Sequence, residues 1–137
     1  MKKLLSILMI TALMLFGALT GCNKKETSVK PTTTSSLVMM QGKWKITNFN
    51  HNGTNESHFT GYEFQFGVNG VVTAVKEGIT TKGYWSTRTE NNEQKLNISF
   101  DSYPLKELNF DWRIKKIDTN IMNLSDGGTE YLDFQKL

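Results

Sequence analysis

The 137-residue chain contains few of the residues that build catalytic or metal centres. Its single cysteine, Cys22, excludes an internal disulfide, a cysteine-based zinc cluster and an iron–sulfur site. No glycine-rich phosphate-binding loop leads into a helix. A chain of this length forms one domain, without room for a separate cofactor domain. We therefore predict no cofactor and no enzyme activity, and a small hydrolase or isomerase is the least favoured function.

No apolar run is long enough to cross a bilayer, which takes about 20 residues. The longest apolar run, Leu4 to Leu19, carries no charge, follows Lys2 and Lys3, and leads into the segment Leu19-Thr20-Gly21-Cys22. A charged start, a short apolar run and small residues at its end are typical of a secretory signal peptide. We predict that residues 1–21 are a cleaved signal, and an N-terminal membrane helix is the alternative.

The segment Leu19 to Cys22 resembles the lipobox of bacterial lipoproteins, in which an aliphatic, a small or polar, and a Gly or Ala residue precede Cys. The resemblance implies that Cys22 carries a diacylglycerol on its sulfur and a fatty acid such as palmitate on its amino group. Such a protein is anchored to a membrane without spanning it. The next residue is Asn23 rather than Asp, which by the sorting rule of that family favours the outer membrane of the cell envelope. A Gram-positive cell surface is the alternative.

Residues 22–36 are predicted to form the lipidated cysteine and a flexible tether, because lysine, threonine and serine predominate there. The formal charge of the whole chain is +3. Residues 1–36 contain five lysines and one glutamate, which leaves 11 basic and 12 acidic residues, a net charge of −1, in 37–137. The domain therefore lacks a basic footprint for nucleic acid.

From Leu37 onward the apolar residues recur with a period of two, as where Tyr62, Phe64 and Phe66 alternate with polar residues. Such alternation indicates antiparallel strands with one buried face. Turn signals such as Asn69-Gly70 separate the runs. The predicted strands cover residues 42–49, 62–67, 71–76, 79–87, 95–101, 108–117, 121–124 and 129–136. We predict an all-β domain over 37–137, with about eight strands in an antiparallel up-and-down barrel. A helical turn at 104–107 and a bulge after Ile114 are also expected.

Three motifs of this domain resemble the small lipocalin-like domains of bacterial lipoproteins. They are the Gly-x-Trp of Gly42 and Trp44, the Gly83-Tyr84-Trp85 triplet, and the Leu-x-x-x-Trp pattern that ends at Trp112. The resemblance implies a lipocalin-like barrel with the Gly-x-Trp motif at its base. The chain departs from lipocalins in two features, since it has no Thr-Asp-Tyr turn motif and no arginine near the end of the last strand, where only Lys136 is basic.

Both histidines, His51 and His58, fall in the long first loop, with Glu56 between them. A zinc site needs rigidly held ligands, and no third ligand is evident. We interpret both as surface loop residues and predict no metal site. Ser57 next to His58 does not make a catalytic triad, since triad residues meet in space together with an orienting group.

Aromatic residues occupy inward positions of the predicted strands. The predicted ligand pocket consists of Phe64, Phe66, Trp85, Phe100, Phe110 and Trp112. An eight-stranded barrel is just wide enough either to be filled by side chains or to hold one small ligand. One hypothesis is therefore noncatalytic binding of a small hydrophobic ligand at the barrel mouth, beneath loop 50–61. The alternative is a filled barrel, expected to be monomeric, whose loops bind another envelope protein or a glycan.

Overall fold

The computed structural model describes residues 34–137. The predictions on the signal peptide, on Cys22 and on tether residues 23–33 lie outside this range. The elements, in chain order, are α1 (Thr34–Met39), β1 (Trp44–His51), β2 (Thr54–Asn55), β3 (Glu63–Phe66), β4 (Val71–Lys76), β5 (Ile79–Glu90), β6 (Glu93–Ser99), a 3₁₀ turn (Leu105–Leu108), β7 (Asp111–Ile117), β8 (Ile121–Ser125) and β9 (Tyr131–Lys136).

The strands form one antiparallel sheet that closes on itself. Strands β3 to β9 pair in sequential order, and β1 lies between β3 and β9. Closure comes from six residue pairs between β1 and β9, from Trp44 with Lys136 to Asn50 with Tyr131. The short strand β2 is an addition that pairs only with β1. The prediction of an all-β, eight-stranded up-and-down barrel is confirmed.

The period-two pattern sets which side chains face inward. In β3, Phe64 and Phe66 are buried while Gln65 is exposed. The predicted bulge in β7 is confirmed, because the register with β8 shifts between Ile114 and Lys116. Successive strand residues point to opposite faces, so Ile117 would point outward in a regular strand. The extra residue in the bulge turns its side chain toward the core.

The N-terminal boundary differs from the prediction. Residues 34–36, assigned to the tether, belong to α1, and the first strand begins at Trp44 rather than at residue 42. Ser35 and Ser36 are buried; Ser35 donates a hydrogen bond to Gln94 Oε1, and the Ser36 hydroxyl lies 2.8 Å from that of Thr87. A helix this short is stabilised by tertiary contacts rather than by its own propensity, and the sequence pattern therefore did not reveal it.

The start of β7 was also predicted too early. Leu108 ends the 3₁₀ turn, which confirms the predicted turn, and the strand begins only at Asp111. Leu105 and Leu108 are buried, so the turn contributes to the core. Their spacing of three matches one turn of 3₁₀ helix, which places both side chains on the same side.

Antiparallel pairing assigns every connection to one of two barrel ends. The helix end consists of α1 with turns 67–70, 91–92 and 118–120, and the loop end consists of segments 52–62, 77–78, 100–110 and 126–130. Helix α1 covers the first end with the buried Met39. The 3₁₀ turn and the buried Phe59 cover the second. The core therefore lies between two covers.

A Gly83→Ala substitution is expected to destabilise the barrel by about 2–3 kcal/mol, since overpacking in a filled core has no room to relax. A Cβ on Gly83 would lie 2.4 Å from the Ser99 carbonyl oxygen and 2.6 Å from the Phe100 ring. Gly128→Ala is the matched control, because its Cβ would meet nothing closer than 3.4 Å. Urea unfolding followed by circular dichroism measures both. Equal midpoints would contradict the close approach of β5 to β6.

Candidate functional site at the loop end of the barrel

Five of the six residues of the predicted ligand pocket are buried inside the barrel, and all six contact other rings. Phe66 meets Trp85 edge to face at 5.4 Å between ring centroids and Phe134 at 6.0 Å. Phe64 meets Phe134 at 5.5 Å and Phe100 at 6.5 Å. These are the separations at which aromatic pairs attract. The rings therefore pack against one another in the middle of the barrel.

The other two pocket residues lie toward the loop end. Trp112 is fully buried, whereas Phe110 is only partly buried and lies outside β7. Their ring centroids are 5.2 Å apart, and Phe49 meets Trp112 at 6.5 Å. Phe49 in turn packs edge to face on Phe59 of the loop, at 5.1 Å. The aromatic core thus continues into the cover of the loop end.

Each tryptophan indole N–H donates to a backbone carbonyl outside the strands. Trp44 bonds to Met39 of α1, Trp85 to Gly67 of the β3–β4 turn, and Trp112 to Leu108 of the 3₁₀ turn, all at 2.9–3.0 Å. A buried indole N–H needs such a partner. The tryptophans of the three sequence motifs therefore hold the covers and a turn in place.

The Gly-x-Trp motif lies at the helix end. Gly42 has φ +89°, a conformation that favours glycine, and it leads the chain from α1 into β1. The ammonium of Lys136 lies 5.9 Å from the centroid of the Trp44 ring. A cation above the face of tryptophan is attracted by the ring quadrupole. Lys136, the last residue of β9, thus covers a face of the tryptophan.

His51 lies at the end of β1 rather than in a loop, and it is bound to a buried carboxylate. Its Nδ1 is 2.7 Å from Oε2 of Glu130, whose side chain is 5% exposed. The other oxygen of Glu130 accepts the backbone N–H of Asn52 at 3.0 Å. A carboxylate needs such partners to be buried. The pair joins the β1–β2 turn to the segment before β9.

His58 lies in the first long loop, as predicted, and connects it to the 3₁₀ turn. Its Nε2 is 2.6 Å from Oε2 of Glu107, a distance suited to an ion pair although not aligned as a hydrogen bond. Its Nδ1 is 3.6 Å from Glu56 Oε2, and its ring packs against Phe59 at 4.5 Å. A hydrogen bond to Glu107, with the nearby negative charge, raises the pKa of Tyr103.

These residues form one cluster, here called the histidine cap: Phe49, His51, Glu56, His58, Phe59, Tyr103, Glu107 and Glu130. The imidazoles of His51 and His58 lie about equally far from the Phe49 ring, at 5.9 and 6.1 Å. Within residues 34–137, no three or more His, Cys, Asp or Glu side chains are arranged to hold a metal ion. The cap can hold loops together and present hydrogen-bonding groups to a partner.

Glu130→Ala is expected to cost about 1–3 kcal/mol of stability, because the Asn52 N–H and the His51 ring lose their partner. Asp101→Ala removes an exposed carboxylate from the same end and is the control. Thermal unfolding of both variants measures the difference. Hydrogen exchange at Asn52 should also accelerate in the Glu130 variant alone. Unchanged exchange there would mean that the pair does not hold the turn.

A shallow cleft of about 260 Å³ opens at the junction of β1 and β3. The two strands share only one pair, Trp44 with Phe64, because the chain beyond β1 turns back as β2. Ile46, Tyr62 and Leu137 supply apolar surface in the cleft. Sequence reasoning missed the cleft, since nothing in the alternating pattern shows where strands separate.

The fold and the cap define a small closed β-barrel with aromatic rings packed on one another in its interior and a polar, aromatic cover at one end. No known protein family and no curated protein matches the sequence of this chain. Its fold is similar to the crystal structure of a DUF4847 family protein from Bacteroides vulgatus, with a TM-score of 0.54 and 18% sequence identity. The match covers 74% of this chain and 96% of the other, and it supports the fold alone. Among the described residues, no helix has the length and apolar character to cross a membrane.

Proposed function

We propose that this protein is a lipid-anchored envelope protein whose lipocalin-like barrel is a rigid, noncatalytic binding module. The lipobox resemblance at Leu19 to Cys22 supports the anchor. The chain reaches the barrel through α1, at the helix end. An anchor at Cys22 therefore attaches to the helix end, opposite the loop end with its histidine cap.

The observation that carries this proposal is the packing of buried rings against one another between two covers. The rings expected to line a pocket contact one another instead, from Phe64 and Phe66 at the centre to Trp112 near the loop end. Binding on the outside of a filled barrel needs no rearrangement of this core. The loop end consists of connecting segments rather than strands. The two histidine–glutamate contacts hold these segments together.

The charge of the loop end indicates the chemistry of a partner. Its four segments contain six acidic residues and one lysine, Lys106. Tyr103 extends from this end with 74% of its surface exposed. An exposed tyrosine amid negative charge suits a partner with basic side chains, because charge complementarity speeds association and selects partners. Of the two partners considered, an envelope protein is therefore favoured over a neutral glycan.

The test is photo-crosslinking in cells that produce the full chain. A photo-reactive amino acid at Tyr103 is expected to give a discrete, higher-mass adduct. The same amino acid at Tyr84, on the barrel wall and 69% exposed, is the matched control and should give none. Equal adducts at both positions, or no adduct at Tyr103, would contradict a binding surface at the loop end.

A second candidate is binding of a small hydrophobic ligand, which the cleft between β1 and β3 supports rather than the interior. Its volume of about 260 Å³ lies just below the roughly 300–1,000 Å³ of typical ligand pockets. Native mass spectrometry of the purified full chain tests it. An extra mass that organic solvent releases, and that a Tyr62→Ala variant lacks, would favour this candidate.

A further inference from the structure

Lysines gather at the helix end, on β7, on β9 and around the start of β1, with β8 lying between β7 and β9. The basic rim, as we call this group, consists of Lys43, Lys45, Lys115, Lys116 and Lys136. Lys43, Lys45, Lys115 and Lys116 are exposed. The rim lies beside α1, through which the chain enters the barrel. Positive charge is thus concentrated at the end opposite the acidic loop end.

The acidic residues close to the rim neutralise only two of its five lysines. Glu63 pairs with Lys43 at 2.7 Å, and Asp118 lies 3.6 Å from Lys116. The Asp118 carboxylate is also occupied by the backbone N–H groups of Asn120 and Ile121, which lower its pKa. Within residues 34–137, no ion pair involves Lys45, Lys115 or Lys136. The rim therefore keeps a surplus of about three positive charges.

On β5, on β6 and at the start of β7, the charges compensate one another. Arg88 donates to both oxygens of Asp111, at 2.7 and 2.5 Å, and Lys95 lies 2.6 Å from Glu90. These pairs leave little net field on that side. The molecule is accordingly polarised both from end to end and around the helix end, with β7, β9 and β1 as its positive side.

We propose that the basic rim docks on anionic phospholipid headgroups and so fixes the orientation of the barrel on the membrane. The proposal rests on the anchor at Cys22. The 11 residues between Cys22 and Thr34 span at most about 40 Å when extended, so the anchor alone allows many orientations. Each lysine near an anionic surface strengthens association about fivefold, and the three surplus lysines select one orientation.

The experiment uses the full lipidated chain in vesicles of phosphatidylcholine, with or without phosphatidylglycerol. Because Cys22 is blocked by lipid, a cysteine placed at Asn120 of the helix end takes a fluorescent label specifically. Energy transfer from this label to a headgroup acceptor should rise in the anionic vesicles. It should fall again in 1 M salt, where the screening length is about 3 Å. A label at Gly128 of the loop end is the matched control and should not respond.

The rim is tested by replacing Lys45, Lys115 and Lys116 with glutamine, which should abolish the rise. Replacing Lys76, Lys82 and Lys106, which removes the same charge elsewhere, should leave it intact. Equal transfer in both lipids, or equal behaviour of the two triple variants, would overturn the proposal. A chain that fails to float with either vesicle would instead contradict the anchor, and so the proposed function. Circular dichroism checks that all variants are folded.

Discussion

A Phe66→Asp substitution should unfold the barrel. Phe66 is 1% exposed and lies between Trp85 and Phe134 in the middle of the core. A carboxylate there would be buried without a partner, in addition to the loss of the ring contacts. The expected loss exceeds about 5 kcal/mol, the lower end of the stability of an ordinary domain. Circular dichroism and the soluble yield of the purified variant measure the effect.

Gln65→Asp is the matched control, because Gln65 is the adjacent residue on the exposed face of β3. It introduces the same side chain one position away and should change stability by less than about 0.5 kcal/mol. A folded Phe66→Asp variant would show that the interior has space and water around Phe66. That outcome would favour a hydrophobic-ligand site inside the barrel rather than in the cleft between β1 and β3.

The difference between Phe66 and Gln65 also explains why the fold could be predicted from the sequence. In an antiparallel sheet with one wet face, the buried side recurs every second residue, so Phe64 and Phe66 identify both the strand and its orientation. The same reasoning located the bulge in β7, since two lysines follow Ile114 and the next apolar residue, Ile117, departs from the alternation of Trp112 and Ile114. Hairpin turns such as Asn69-Gly70 then left few alternatives to sequential pairing.

The histidine cap could not be predicted by the same reasoning. His51 and Glu130 are 79 positions apart and come together only because β1 and β9 close the barrel. His58 and Glu107 meet because two loops cover the same end. No local sequence pattern predicts such pairs, since the residues around each member are typical of a solvent-exposed loop. Helix α1 escaped prediction for a related reason, because its buried serines bond to side chains of β5 and β6.

The tryptophan motifs lie between these extremes. Their resemblance to known motifs predicted a barrel, and in the structure each tryptophan indole donates a hydrogen bond to a backbone carbonyl outside the strands. Trp44 and Trp112 bond to the covers at opposite ends, and Lys136 lies against the face of Trp44. A lysine suits this contact, because the contact requires a cation over the ring rather than a forked hydrogen-bond donor.

Cys22→Ser should move the protein from the membrane fraction to the soluble fraction almost completely. Lipid attachment requires the thiol, and no other cysteine is present in the chain. Each buried CH₂ contributes about 0.8 kcal/mol, so one acyl chain binds reversibly while two or more hold the protein firmly. Detergent phase partitioning and intact-mass measurement would show the loss of the anchor. The barrel itself should unfold at the same temperature as before.

Asn23→Asp is the control for this substitution, since it alters the adjacent residue and keeps the thiol. By the lipoprotein sorting rule, this variant should stay lipidated and be retained at the inner membrane. A Cys22→Ser protein that still partitions with membranes would contradict the anchor and favour the uncleaved N-terminal helix. In that case a spanning segment rather than a lipid would hold the protein at the membrane, and it would still be joined to the helix end of the barrel, because the chain enters the barrel through α1.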